Sequence, residues 1–244
     1  MQSKTLQTDA HTIRYYIAGR SAGITFVLVP SIGMSSRSFE PLIERLSAQF
    51  RVVCIDLPGF GESSRPVMTP SVQEYAQEIR SVIRHEGIIR PILVGHGLGA
   101  QVVASLLAHH PETSAKAVLI APTAAPKQRS MLVHYGKLLQ DLLLEPPRVS
   151  FRLCAEFART SPLQYAKTLP AMLRNRIDGN VAGCQSAVMI IRGADDPVVP
   201  HSWAGKLAAI ATVAGLFEIR GGRHHVHMTN TEEVADIIEG FALS

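Results

Sequence analysis

Gly95-His96-Gly97-Leu98-Gly99 is the stretch whose residue types and spacing come closest to declaring a chemistry. It follows an apolar run, Pro91-Ile92-Leu93-Val94, and precedes a helical pattern from Ala100 to Leu107. Strand, sharp turn and helix in that order are the setting of the G-x-S-x-G elbow, which presents a serine hydroxyl for nucleophilic attack. Here the centre of the elbow is Gly97, so the setting is present and the attacking atom is absent. Without Oγ at that position no covalent intermediate can form on the elbow. Glycine enters the strained backbone of such a turn without a Cβ clash, so the fold is expected to survive its presence. A small void, with room for one water near His224, is expected beside it.

Other residues could move protons. Asp195 and Asp196 are adjacent carboxylates, and His224, His225 and His227 crowd one short segment. Histidine titrates closest to neutrality and is the commonest general base. The cluster also raises the question of a metal. Three histidines on one loop, with no acidic residue beside them in sequence, rarely wrap a single ion, and no metal site is assigned. His225 and His227 are read as loop or packing residues.

The elements that must position these groups alternate. Thr25 to Val29, Arg51 to Asp56, residues 91–94, Ala117 to Ile120, Ala187 to Ile191 and Gly215 to Ile219 read as buried strands. Phe39 to Phe50 has helical spacing, with Phe39, Leu42, Ile43, Leu46 and Phe50 on one face. Further helices are predicted over Val72 to Glu86, opened by Ser71 as N-cap, then over residues 98–110, 202–211 and Thr231 to Leu243. This alternation implies a parallel sheet covered by helices on both faces. Thr5 to Thr8 and Thr12 to Ile17 look like an antiparallel edge hairpin. The pattern breaks after Pro122 and resumes near residue 183, so residues 123–182 are read as a helical lid inserted into a core domain of residues 1–122 and 183–244.

Composition sets outer bounds. The chain has 244 residues, enough for one large domain with a buried core, and 46% of them are hydrophobic. No apolar run approaches the roughly 18 residues of a membrane span. The N-terminus lacks the apolar core of a signal peptide, which makes a cytoplasmic location the expectation. A net charge of +4, with arginines scattered along the chain, gives no footprint for nucleic acid. Cys54, Cys154 and Cys184 are dispersed and odd in number, as expected of reduced thiols.

Four landmarks in order carry a resemblance that spans nearly the whole chain. They are the elbow at Gly95–Gly99, Asp56-Leu57-Pro58-Gly59-Phe60-Gly61-Glu62-Ser63, Gly193-Ala194-Asp195-Asp196-Pro197-Val198-Val199-Pro200, and Gly221-Gly222-Arg223-His224. Together they resemble the α/β-hydrolase fold, with elbow, acid and histidine in the order of that superfamily. The resemblance implies a mostly parallel eight-stranded sheet with helices on both faces and an inserted lid. It implies Asp196, chosen over Asp195 by its spacing to Gly193 and Pro200, as the acid that orients the histidine. It implies His224 as the base and Gly97 at the nucleophile position. The amides of Ile32 and Leu98 are the implied oxyanion hole. The family usually opens the loop after the first central strand with His-Gly, where this chain has Pro30-Ser31. Ser31 and Ser35 could offer hydroxyls to the pocket, but loop serines more often close turns, and neither is assigned as nucleophile.

Three functions are compatible with these residues. In the first, the chain is a serine ester, thioester or lactone hydrolase whose elbow serine has been replaced by Gly97 in the laboratory to trap a ligand. Alternatively, glycine is native and His224 with Asp196 performs elimination, cyclisation, C–C cleavage or water-mediated hydrolysis. The third is a silent ligand-binding module, which has no chemical need for both acid and histidine. The lid is expected to supply an apolar roof, drawn from residues such as Met131, Tyr135 and Leu139, with Ser31 and His96 as further substrate contacts. The partner is then a small or medium organic molecule, with no nucleic acid, membrane or organic cofactor implied. Gly95–Gly99 lacks the lysine and hydroxyl residue of a phosphate-binding loop.

Overall fold

The computed structural model describes residues 1–20, 23–126 and 129–244. Lys127 and Gln128, within the expected insertion, lie outside the described residues. Eight strands form one sheet: β1 (Gln2–Gln7), β2 (Thr12–Ala18), β3 (Thr25–Val29), β4 (Arg51–Ile55), β5 (Ile92–His96), β6 (Lys116–Ile120), β7 (Ala187–Gly193) and β8 (Val213–Ile219). Their order is β1-β2-β4-β3-β5-β6-β7-β8. The β1–β2 and β2–β4 pairs are antiparallel, and every pair from β4 to β8 is parallel. The central strands are buried along their length, as continuous apolar runs in a doubly covered sheet require.

Helices α1 (Glu40–Ser47), α2 (Val72–His85) and α3 (Leu98–His109) follow β3, β4 and β5, with α8 (His201–Ile210), α9 (Val226–Thr229) and α10 (Thr231–Leu243) toward the C-terminus. They form two packing groups: α1 against α10, and α2 against α3. Helix α2 begins with a capping box, in which Ser71 Oγ accepts from the Glu74 amide and the Glu74 carboxylate accepts from the Ser71 amide. The helix expected from Phe39 is one turn shorter, yet its predicted face is buried: Phe39, Leu42, Ile43, Leu46 and Phe50 all join the core.

Between β6 and β7 lie α4 (Met131–Leu144), α5 (Pro147–Arg159), α6 (Pro162–Arg174) and α7 (Ile177–Gly183), with no strand among the described residues. Helix α7 packs on α3 and α8, beside the sheet. Helix α5 is tied instead to the loop after β3, where the Ser35 amide and hydroxyl both donate to buried Glu156 and Thr160 Oγ1 donates to the Gly33 carbonyl at 2.9 Å. No described helix is long and apolar enough to cross a membrane.

Candidate active site

The candidate residues come from the carboxyl ends of β3, β5, β7 and β8, where parallel α/β sheets place their ligands. Strand β5 ends at His96, and Gly97 turns the chain into α3 with φ +54° and ψ −110°. That left-handed backbone is the elbow conformation, and glycine adopts it without strain. The turn is also tight. A Cβ on Gly99 would collide with the Val29 carbonyl, so α3 can start this close to β3 only with glycine there.

Asp196 and His224 meet as the landmarks imply. His224 Nδ1 lies 2.9 Å from Asp196 Oδ2, with both side chains buried. The second oxygen, Asp196 Oδ1, accepts the amides of Val198 at 2.7 Å and Val199 at 3.0 Å. A carboxylate held on both oxygens fixes the ring's tautomer, with the proton on Nδ1 and Nε2 left basic. Among the described residues Nε2 has no hydrogen-bond partner, and the ring lines a cavity of about 380 Å³. Asp195 is directed elsewhere: its amide donates to the Gly222 carbonyl, and its side chain is exposed.

Ile32 also lines the cavity, and its amide has no acceptor among the described residues. The Leu98 amide donates to Ser31 Oγ at 3.2 Å. The void expected beside Gly97 is filled: a Cβ placed on Gly97 would overlap Ser31 Oγ and lie 3.0 Å from Ser31 Cβ. Ser31 therefore stands at the elbow itself, facing the cavity that His224 also lines.

Two of the expected substrate contacts are elsewhere. His96 does not line the cavity. Its ring is fully buried behind His224, with centroids 5.0 Å apart, and Nε2 donates to the His224 carbonyl at 3.2 Å. Burial, and then the neighbouring histidines, hold His96 well below the usual imidazole range. As the last residue of a strand that is buried on both faces, it points into the interior. Met131, at the first turn of α4, is partly exposed and lies outside the cavity lining, whereas Tyr135 and Leu139, one and two turns on, do line it.

The other two loop histidines separate. His227 is fully buried against Phe39, ring centroids 4.6 Å apart, and burial holds it well below its usual range. His225 lies in an ion cluster that local sequence could not show. Its Nδ1 is 3.2 Å from Asp141 Oδ2 and 3.7 Å from Glu145 Oε1. Burial opposes its charge, but the bonds and charges of Asp141 and Glu145 outweigh burial and push it up to about 9. Asp141 Oδ1 also accepts the His224 amide at 3.2 Å. Burial alone would raise the Asp141 carboxyl; the His225 bond and the histidine charges bring it below the usual range. Asp141, Glu145 and His225 are close enough to share a cation, yet the same atoms already satisfy one another. Asp141 on α4 and Glu145 at its C-cap reach this loop from 84 and 80 residues away, and only their i,i+4 spacing marks them in the sequence.

The rest of the wall is apolar, with Leu138, Leu142, Leu153 and Phe157 among its residues. His134 and Tyr165 add polarity, Nε2 to Oη 3.4 Å. Burial, then the His224 charge, pushes His134 down to about 4, so its neutral ring can accept from the Tyr165 hydroxyl.

Comparisons with known proteins bear on the fold and the family. The profile of the alpha/beta hydrolase family matches residues 26–237. A Klebsiella pneumoniae protein, named as a carbamate hydrolase, RutD, is 27% identical over 237 residues, covering 87% of this chain and 89% of its own. The 2-(acetamidomethylene)succinate hydrolase of Mesorhizobium japonicum is 31% identical over 114 residues, 47% of this chain and 41% of its own. The crystal structure of the enol-lactonase from Burkholderia xenovorans superposes with a TM-score of 0.86 at 18% identity, covering 99% of this chain and 100% of that one. The fold, the order of elbow, acid and histidine, and the extent of the family match lead to one conclusion: the chain belongs to the alpha/beta hydrolase family of enzymes.

Proposed function

We propose that this enzyme acts on a small or medium-sized, largely apolar organic molecule by proton transfer through His224 and Asp196, with no nucleophile on the elbow. The observation that carries this reading is the 2.9 Å Nδ1–Oδ2 contact, with the other ring nitrogen left free at the cavity wall. In this reading Asp196 orients the ring and stabilises the imidazolium, and His224 Nε2 takes a proton from water, substrate or a hydroxyl. The Ile32 and Leu98 amides stabilise the oxyanion that develops on a carbonyl. Residues 123–182 act as a lid whose helices α4 to α6 shape the apolar pocket over a core of residues 1–122 and 183–244. The cavity volume suits such a ligand. The names of the relatives, a carbamate hydrolase and an enol-lactonase, support a carbonyl group bonded to a heteroatom as the reacting centre.

A serine hydrolase that has lost its elbow serine is the alternative reading; a Cβ at Gly97 would meet Ser31 Oγ, the rotatable end of that side chain, and lie 3.0 Å from Ser31 Cβ. The test is turnover of a panel of p-nitrophenyl esters, carbamates and lactones by the protein and by His224→Ala. The variant is expected to lose turnover of every substrate the unmodified protein accepts; equal turnover by both overturns the reading.

A further inference from the structure

Ser31 occupies the space that Gly97 vacates. An elbow serine carries its oxygen one bond beyond Cβ, and Ser31 Oγ overlaps the place where a Cβ at position 97 would be. The same oxygen accepts the Leu98 amide at 3.2 Å, the donor that lies next to the attacking oxygen in an elbow. The side chain lines the cavity together with Ile32 and His224. Glycine at 97 and serine at 31 are thus sterically matched: a side chain at 97 requires Ser31 to withdraw. We propose that the nucleophile of this enzyme has moved from the elbow to Ser31, at the end of the neighbouring strand, and that its substrates are esters, thioesters or lactones.

The inference rests on His224 acting as the base and goes beyond that reading by naming the atom it activates. Ser31 and His224 are not hydrogen-bonded to each other in this arrangement, since the Leu98 amide holds Oγ; a change of χ1 redirects the hydroxyl, and catalytic bonds commonly tighten only with substrate in place. In the first step Ser31 Oγ forms a bond to the acyl carbon while its proton passes to His224 Nε2. The carbonyl π pair moves onto oxygen, which takes the Leu98 and Ile32 amides. Collapse breaks the bond to the leaving group, and that group leaves with the proton from His224. Water then attacks the acyl-Ser31 ester, giving its proton to His224. The second collapse returns that proton to Oγ. The sum is ester plus water giving acid plus alcohol, or the thiol or ring-opened equivalent.

The experiment is reaction with a fluorophosphonate followed by peptide mass spectrometry, paired with p-nitrophenyl butyrate hydrolysis. The adduct is expected on Ser31 of the unmodified protein. Ser31→Ala should abolish the adduct and lower turnover by at least ~10³-fold. Gly97→Ser alone should be poorly active, because the new side chain meets Ser31. Combining it with Ser31→Gly should restore the adduct, now at position 97. A folded, unmodified protein that carries no adduct on Ser31 overturns the inference without recourse to any variant, as does Ser31→Ala with undiminished turnover. If His224→Ala is inactive while Ser31→Ala is fully active, the acid–base reading stands and only the nucleophile is wrong. If His224→Ala is fully active, the acid–base reading falls with it.

Discussion

His224 and His225 are neighbours in the chain and occupy opposite chemical situations. His224 faces one carboxylate, Asp196, which is itself anchored by two backbone amides. Its far nitrogen is left to the cavity. His225 faces two carboxylates, Asp141 and Glu145, and is buried, although it too lines the cavity. One carboxylate orients an imidazole and leaves it able to gain and lose a proton. Two carboxylates in a buried site hold an imidazolium in place, because releasing the proton would leave excess negative charge in a low dielectric. The first arrangement suits proton transfer. The second suits a fastening, and it joins α4 of the inserted helices to the loop that carries His224. Asp141 links the two directly, since one of its oxygens accepts the His224 amide and the other His225 Nδ1.

The sharpest way to break the comparison is at the far ends of the two pairs. His224→Ala is expected to lower turnover by ~10³-fold or more, with the melting temperature little changed. Asp196→Asn keeps an oxygen for the Val198 and Val199 amides while favouring the wrong tautomer of His224. It should cost ~10³-fold in turnover, read at constant stability by thermal denaturation. Asp141→Asn should do the reverse. Removing one partner of a buried ion cluster costs about 3–5 kcal/mol of stability, seen in urea unfolding, while turnover of the folded enzyme should stay within about tenfold.

A pH series sharpens the same contrast. His225 is raised in the folded protein, so its contribution to stability is complete below the ordinary imidazole value and is lost as pH climbs through about 9. Asp141 is lowered, so its contribution is present above the ordinary carboxylate value and is lost on acidification. The melting temperature of the unmodified protein should therefore decline from near neutrality to pH 9. Asp141→Asn should flatten that decline, as followed by circular dichroism. The smallest effect is expected from Leu139→Ala on the cavity wall: a rise in KM of a few-fold for apolar substrates with kcat nearly unchanged, since it trims uniform binding.

The architecture was readable because its signals are local. The runs at residues 25–29, 51–56 and 117–120 have strand length and are rich in β-branched residues, and the Ser71/Glu74 pair marks a helix start whose partners are three residues apart. The pairing of Asp196 with His224 was readable by resemblance, since both follow strands in a known order. His96 was misplaced because a single residue at a strand end gives no sign of which side it faces. Met131 was misplaced because helical periodicity identifies a face but not how far along the helix a cavity extends. The acidic partners of His225 were out of reach: Asp141 and Glu145 are 84 and 80 residues away, and nothing in the loop announces them.

The sequence by itself determined that this is an α/β-hydrolase-fold chain with a glycine where attack normally begins. Both follow from residue types at short spacing, where covalent geometry and hydrophobic periodicity leave little freedom. Only the tertiary structure decided what fills the space at Gly97. Ser31 lies 66 residues upstream, at the end of a different strand, and it reaches the elbow because β3 and β5 are hydrogen-bonded neighbours in the parallel sheet. Strand order and register, which no local pattern encodes, put a hydroxyl beside the one residue that lacks it.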